Sequence, residues 1–348
     1  MKALVLTDYN QFVFQDFPTP TPGVDEVLVR VKTCGICGSD VHGMDGSSGR
    51  RIPPIIMGHE AAGVIEAVGN QVEDWRVGDH VTFDSTIYCG KCTFCLKGLQ
   101  NLCENRRVLG VSTPDFRQHG AFAEFVVVPA RILYRIPDEV SFVRAAMVEA
   151  VSIAFHGVGQ TPVKINDTAV VMGTGMIGLL VVQTLRLAGC GKIIAVDIDS
   201  NKLKKAVEYG ADIGLRSDQG DVIEEIRRLT GGIGADLAYE VVGIPPTFRL
   251  ALQAVRKGGS VGLIGNLSPK VEMPLQAVVT RQITLYGSCA SNGEYPACLD
   301  MLAREKIRVD DMISAVAPLW EGKEWFDRLY AKEPGLMKVI LSPEGKVE

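Results

Sequence analysis

Apolar and polar residues alternate with period two through Glu26-Val27-Leu28-Val29-Arg30-Val31-Lys32, the pattern of a strand with one buried face. Residues 61–69, 79–83 and 122–129 read as further strands, bounded by glycine, aspartate and proline. Long helical periodicity is missing from this half of the chain. It therefore predicts an all-β, barrel-like domain whose loops carry the chemistry. After Glu149 the texture changes. Residues 168–172 form a continuous apolar strand that leads at once into Gly173-Thr174-Gly175-Met176-Ile177-Gly178 and a helical stretch over 177–188. A second strand over 192–196 ends in Asp197, and a helix follows over 201–208. Strands fit again at 236–242, 260–265 and 283–287, with helices between. Such alternation predicts an α/β fold with a right-handed, doubly wound parallel sheet. From about residue 291 come a helix-like segment (296–304) and an apolar strand (337–341), expected to return to the first domain. The expected organisation is a catalytic domain over 1–152 with a lobe near 86–106, a nucleotide-binding domain over 153–290, and the return over 291–348.

Composition narrows the class. A chain of 348 residues suits two domains, and 47% hydrophobic with 22% charged residues is ordinary globular composition. The net charge of -5 and the lack of a basic run argue against a nucleic-acid partner. No stretch approaches the ~20 apolar residues of a membrane helix, and the opening apolar run is too short for a signal peptide. Nine cysteines without an export signal predict a reducing, cytoplasmic setting in which clustered thiols hold metal rather than form disulfides.

The cysteines concentrate at Cys89, Cys92, Cys95 and Cys103, a C-x2-C-x2-C-x7-C spacing. Four soft ligands with no vacancy predict a closed, structural zinc site; an iron–sulfur cluster would place the fourth cysteine nearer and follow it with proline. A second donor set, Gly58-His59-Glu60 read with Cys37-Gly38-Ser39-Asp40-Val41-His42, brings a thiol, an imidazole and two carboxylates together on loops. That combination suits a catalytic metal with one open position. In the glycine turn, Gly173 permits the tight bend, Gly175 lets the backbone approach a pyrophosphate, and Gly178 lets helix and strand pack. The helix beginning at Met176 and Ile177 offers its N–H groups to the phosphates. Asp197 is placed to bind ribose hydroxyls and select NAD over NADP, while Asp199 or Ser200 caps the next helix.

On these residues the chain resembles the zinc-containing medium-chain dehydrogenases, and within them the polyol (sorbitol or L-iditol) branch. The likeness covers Cys34-Gly-Ile-Cys37-Gly-Ser39-Asp40, Gly58-His59-Glu60, the four-cysteine lobe, Glu149 and the Gly173 turn, in that order. It implies a GroES-like β-barrel catalytic domain built from both chain ends around a central Rossmann domain, a cleft between them, and a homodimer or homotetramer. It implies two zinc ions per subunit and NAD. Cys37, His59, Glu60 and Glu149 then resemble the catalytic zinc ligands, with Glu60 and Glu149 able to share the coordination and to meet substrate. Asp40 resembles the carboxylate that fixes the His59 tautomer, Ser39 the hydroxyl beside the substrate oxygen, and His42 the far end of a proton relay through the nicotinamide ribose. Lys202 matches a position touching the adenosine ribose. One departure stands out: residues 288–295 lack the arginine that sorbitol dehydrogenases have there, leaving Asn292 and Glu294 to meet hydroxyls. Arg50 and Arg51 are either solvated loop charges or contacts for a phosphate. The implied activity is reversible oxidation of a sugar alcohol's secondary hydroxyl to a ketose. Alternatives are a galactitol-1-phosphate-type or L-threonine 3-dehydrogenase, or a catalytically silent protein on the same scaffold.

Overall fold

The computed structural model describes residues 1–113 and 116–345, so the last three residues of the expected C-terminal return lie outside the described residues. Two compact units divide the chain: Met1–Glu149 with Tyr295–Glu348, and Ala150–Glu294.

The first unit is organised on a seven-stranded sheet. Its hub is the alternating strand, which runs Glu26–Gly35 with Val27, Val29 and Val31 buried and Arg30 exposed. Along one edge it pairs antiparallel with Glu60–Val68. Two strands from distant parts of the chain share its other edge. Phe125–Pro129 takes the Glu26 end, and Lys338–Ser342 takes Cys34 and Gly35. The last strand thus lies on the same edge residues that face Glu60, since Gly35 is in register with both Glu60 and Ile340. A hairpin of Lys2–Asp8 and Gln11–Asp16 adds Phe12, which stacks on Phe326 at 4.4 Å; Phe122 meets Phe326 edge-on at 5.7 Å. Burying such aromatic rings is the main favourable term here, ~1.5–3 kcal/mol for each large side chain. Gly58 explains the start of the His59 loop. Its φ is +93°, and a Cβ there would sit 2.8 Å from Cys34 Sγ and 2.9 Å from Phe122.

The second unit carries a six-stranded sheet, all of it parallel, in the order Ile213–Arg216, Lys192–Asp197, Thr168–Met172, Ala235–Glu240, Val255–Leu263, Thr284–Gly287. The order reverses between Thr168–Met172 and Ala235–Glu240, which opens a crevice at the strands' carboxyl ends. Helix Met176–Leu187 starts at that point. Ile213–Arg216 was not anticipated from sequence: four residues long and only partly buried, it shows no alternation. The helical tract Phe142–Gly159 is long and apolar enough by composition to cross a membrane. It is 61% buried within the protein and carries Glu149, as a core helix does.

Candidate metal centres and dinucleotide crevice

The four lobe cysteines converge, with all four Sγ atoms within 4.8 Å of one another. Cys92 Sγ lies 3.5 Å from Cys95 Sγ and 3.9 Å from Cys103 Sγ. Those edges match the ~3.8 Å of a tetrahedron with Zn–S bonds of about 2.3 Å. The backbone prepares the charge: the Lys91 and Cys92 N–H groups bring the Cys89 thiol down to about 6. Burial and its thiol neighbours push Cys95 up to about 12, so without a cation the four do not all ionise. A divalent ion held by the four sulfurs would supply the missing charge. None of the nine cysteines forms a disulfide.

The second set is Cys37, His59 and Glu60, whose donor atoms also lie within 4.8 Å of one another. Cys37 caps the short helix Gly38–Val41, and its sulfur accepts from Ser39 N at 3.4 Å and Ser39 Oγ at 3.3 Å. His59 is 6% exposed and Glu60 1%. Glu60 Oε1 is buried with no hydrogen-bond partner, and His59 Nδ1 stands 3.5 Å from Asp40 Oδ1, beyond good hydrogen-bond length. An orphaned buried carboxylate oxygen beside a thiol and an imidazole fits a divalent metal. Burial disfavours the His59 imidazolium. The Asp40 carboxylate and Cys37 nonetheless outweigh it and hold its pKa well above the usual range. The same charge pattern would welcome a cation in place of that proton.

Glu149, the fourth expected ligand, stays outside this cluster. It lies in the first turn of the helix Val148–Gly159, half-buried, and desolvation followed by the Glu60 charge pushes its carboxyl up to about 7. Glu60 also has a partner the sequence did not reveal. Lys338, 1% exposed, bonds its Oε2 and donates to Ile36 O at 3.1 Å. Asp40 accepts from Cys37 N at 3.4 Å and is paired with Arg51 at 2.9 Å. Arg51 is 3% exposed. It is therefore neither a solvated charge nor a free phosphate contact; Arg50 alone remains on the surface. Ser39 lies beside Cys37, and His42 ends the same short helix with its ring exposed.

The glycine turn has the geometry its sequence predicts. Gly173 has φ +96°, and a Cβ on Gly178 would lie 1.9 Å from Gly173 O, so that close packing admits only glycine. A Cβ on Gly175 would meet nothing within 4 Å: the backbone there borders open space, with room for a ligand to approach. Gly175 caps the helix without any side-chain bond, leaving the N–H groups at Met176 and Ile177 for an anion. Asp199 is the N-cap of the next helix, accepting from Asn201 N and Lys202 N. Asp197 is not left unbonded: it accepts from Thr174 N at 2.7 Å, Thr174 Oγ, Ile198 N and Asp199 N. Its charge is thus fixed against the glycine turn. Lys202 lies exposed on that helix. A further carboxylate, Glu240, is buried and accepts from Val242 N, Gly243 N and Thr247 Oγ, shaping the loop next to Gly173. Sequence reading missed it because it closes an ordinary strand.

In the segment 288–295 Glu294 is engaged. His156 Nδ1 lies 2.7 Å from its Oε1, and Asn292 N bonds its other oxygen. It holds the loop rather than waiting for a substrate hydroxyl.

Comparison with known proteins gives two family matches: the alcohol dehydrogenase GroES-like domain on residues 23–138 and the zinc-binding dehydrogenase family on residues 177–304. The chain is similar to a sorbitol dehydrogenase of Bacillus subtilis (strain 168), 31% identical over 99% of this chain and 97% of that one. It is similar to a D-arabitol-phosphate dehydrogenase of Enterococcus avium, 32% identical over 97% and 96%. Among solved structures it is similar to an alcohol dehydrogenase of Escherichia coli CFT073 complexed with NADH. There the TM-score is 0.91 and the identity 31%, over 98% of this chain and 99% of that one.

Proposed function

The chain belongs to the zinc-containing medium-chain dehydrogenases, in their polyol branch, and from that premise we propose that it oxidises a secondary hydroxyl of an unphosphorylated sugar alcohol to the ketose, with NAD+ as acceptor. The observation that carries the reading is the Cys37–His59–Glu60 cluster with its orphaned carboxylate oxygen and a second, half-buried carboxyl, Glu149, coupled to it by charge. Zinc held by Cys37, His59 and Glu60 would supply Lewis-acid polarisation of the substrate hydroxyl, and NAD on the glycine turn would supply the hydride acceptor. The protein's own groups do the rest. Ser39 Oγ, beside Cys37, takes the hydroxyl proton, and exposed His42 at the end of the same helix delivers it to solvent. Glu149, titrating near neutral pH, can donate to or accept from a neighbouring substrate hydroxyl. A site with buried carboxyl groups penalises a simple alcohol that leaves them unmet.

Asp197 supports NAD over NADP. A 2′-phosphate about 4 Å from that carboxylate would be repelled by ~4 kcal/mol at an effective dielectric near 20. The burial of Arg51 against Asp40 favours an unphosphorylated substrate, because it removes one of the two cations available to a phosphate. Self-association is supported by the helix Leu275–Arg281, which buries none of its residues and leaves Leu275 and Val279 exposed near the sheet-edge strand Thr284–Gly287.

The test is a panel of sorbitol, L-iditol, xylitol, arabitol phosphate, L-threonine and ethanol, followed by NADH and NADPH absorbance alongside elemental analysis. Two zinc ions per chain and a polyol exceeding ethanol in kcat/KM by orders of magnitude are expected with NAD. Ethanol matching the best polyol, or equal efficiency with NADP, would overturn the reading.

A further inference from the structure

Two cations are buried among the described residues, Lys338 and Arg51. Lys338 pairs with Glu60, itself in the metal cluster. Arg51 touches none of the three donors, yet a buried guanidinium is expensive unless its partners repay the desolvation. Its side-chain partners are Asp40 and Ser39, and Nη1 also donates to Arg50 O at 3.5 Å. Nε and Nη2 both reach Asp40 Oδ1, at 3.3 and 2.9 Å, and Nη2 also reaches Ser39 Oγ at 3.3 Å. The fold makes room for this. Gly43 lies against the arginine stem, where a Cβ would stand 2.6 Å from Arg51 Cγ and 2.9 Å from Ser39 O.

We propose that Arg51 is a positioning residue of the dehydrogenation: one guanidinium sets the His59 ring through Asp40 and orients the Ser39 hydroxyl that receives the substrate's proton. The inference rests on the zinc reading of Cys37, His59 and Glu60.

The oxygen that Arg51 grips is the one 3.5 Å from His59 Nδ1, while the other Asp40 oxygen takes Cys37 N. Asp40 therefore spans two of the metal donors, and Arg51 stops it rotating away from either. Partners of this kind, one step behind a ligand, fix its tautomer and orientation. At Ser39 the logic is donor arithmetic. Arginine donates and never accepts, so Ser39 Oγ must accept from Nη2 and point its own proton elsewhere. In the structure that proton faces Cys37 Sγ. One lone pair of Oγ is left for a substrate O–H. As Oγ takes the substrate proton, its own O–H turns from Cys37 Sγ and passes that proton by way of His42 to solvent, and the adjacent fixed cation stabilises the oxygen in passing. Lysine, a single point charge, cannot hold both Asp40 and Ser39 in this geometry.

The test uses the zinc-loaded full chain and the variants Arg51→Lys and Arg51→Met. Arg51→Lys should keep both zinc ions and the KM for NAD while kcat falls by roughly 10- to 100-fold, as for other residues behind a metal ligand. Arg51→Met should release the catalytic metal to a chelator faster and alter the visible spectrum of the cobalt-substituted site. Added guanidinium ion should restore part of its kcat. If Arg51→Met does not fold, Arg51→Met with Asp40→Asn removes both buried charges together and should show the same metal release and loss of kcat. Folded variants with unchanged kcat, chelator release and cobalt spectrum would overturn the proposal, as would a loss of stability alone without guanidinium rescue. Native protein lacking the second zinc would overturn the metal reading instead.

Discussion

Replacing Lys338 by methionine isolates one charge. The stem of residue 338 is buried in both proteins, so apolar packing changes little, and what disappears is the ammonium bonded to Glu60 Oε2 and Ile36 O. Glu60 is then a carboxylate, 1% exposed, with Oε1 already lacking a partner. Breaking a buried pair from one side costs about 3–5 kcal/mol. That range applies to metal-free protein. With zinc bound, the cation facing Oε1 should return part of the loss, so zinc affinity should rise in Lys338→Met even as the metal-free form weakens. Adding Glu60→Gln to the variant removes the orphan charge and should recover most of the stability, because two neutral partners avoid the desolvation. The assay is urea unfolding followed by tryptophan fluorescence, with and without chelator. Trp75, Trp320 and Trp325 all belong to the first unit, so the signal reports that unit alone. A single-variant cost below about 1 kcal/mol, or a double variant as unstable as the single one, would refute the reasoning.

Two further outcomes are expected. Gly175→Val, whose side chain enters open space, should leave the thermal midpoint unchanged and abolish NADH fluorescence enhancement, whereas Gly178→Ala should lower both, because its Cβ collides with Gly173 O at 1.9 Å. Burial alone would raise the Glu294 carboxyl, but His156 and the Asn292 N–H outweigh it and hold it below its ordinary 4.5; its stabilisation is therefore present above that value and lost as pH falls through the lower folded pKa. Glu294→Gln should accordingly show a smaller drop in unfolding midpoint between neutral pH and pH 4 than the parent, and an equal drop would contradict the sign.

The parts of the fold legible in sequence are those whose chemistry is local. The glycine turn and the lobe cysteines are fixed by spacing alone, and both take the geometry their residues require. The parallel sheet followed from alternation, though Ile213–Arg216 was too short and too exposed to register. Charges were harder to read. Lys338 stands in sequence between Met337 and Val339 like any strand-edge lysine, and its partner is 278 residues away. Arg51 offered two readings, solvent or phosphate, and took neither, because a tertiary contact with Asp40 outbids water only once the loop is closed. The His156–Glu294 pair spans 138 residues. Periodicity carries no information about which polar residues meet at such distances.

The hub strand accepts its last neighbour from residues 338–342, and this has a consequence for synthesis on the ribosome. The unit over Ala150–Glu294 is contiguous and can condense while translation continues. The unit that carries the Cys37–His59–Glu60 cluster stays open along Cys34 and Gly35 until residues 338–342 have emerged. Until then Glu60 has no Lys338, and the carboxylate faces water rather than a finished pocket. Assembly of that donor cluster is therefore coupled to synthesis through residue 342. A nascent chain that stalls before residue 338 would hold a formed parallel sheet and an unfinished first unit, with the Cys34–Gly35 end of the hub strand unpaired along one edge as a handle for chaperones and proteases.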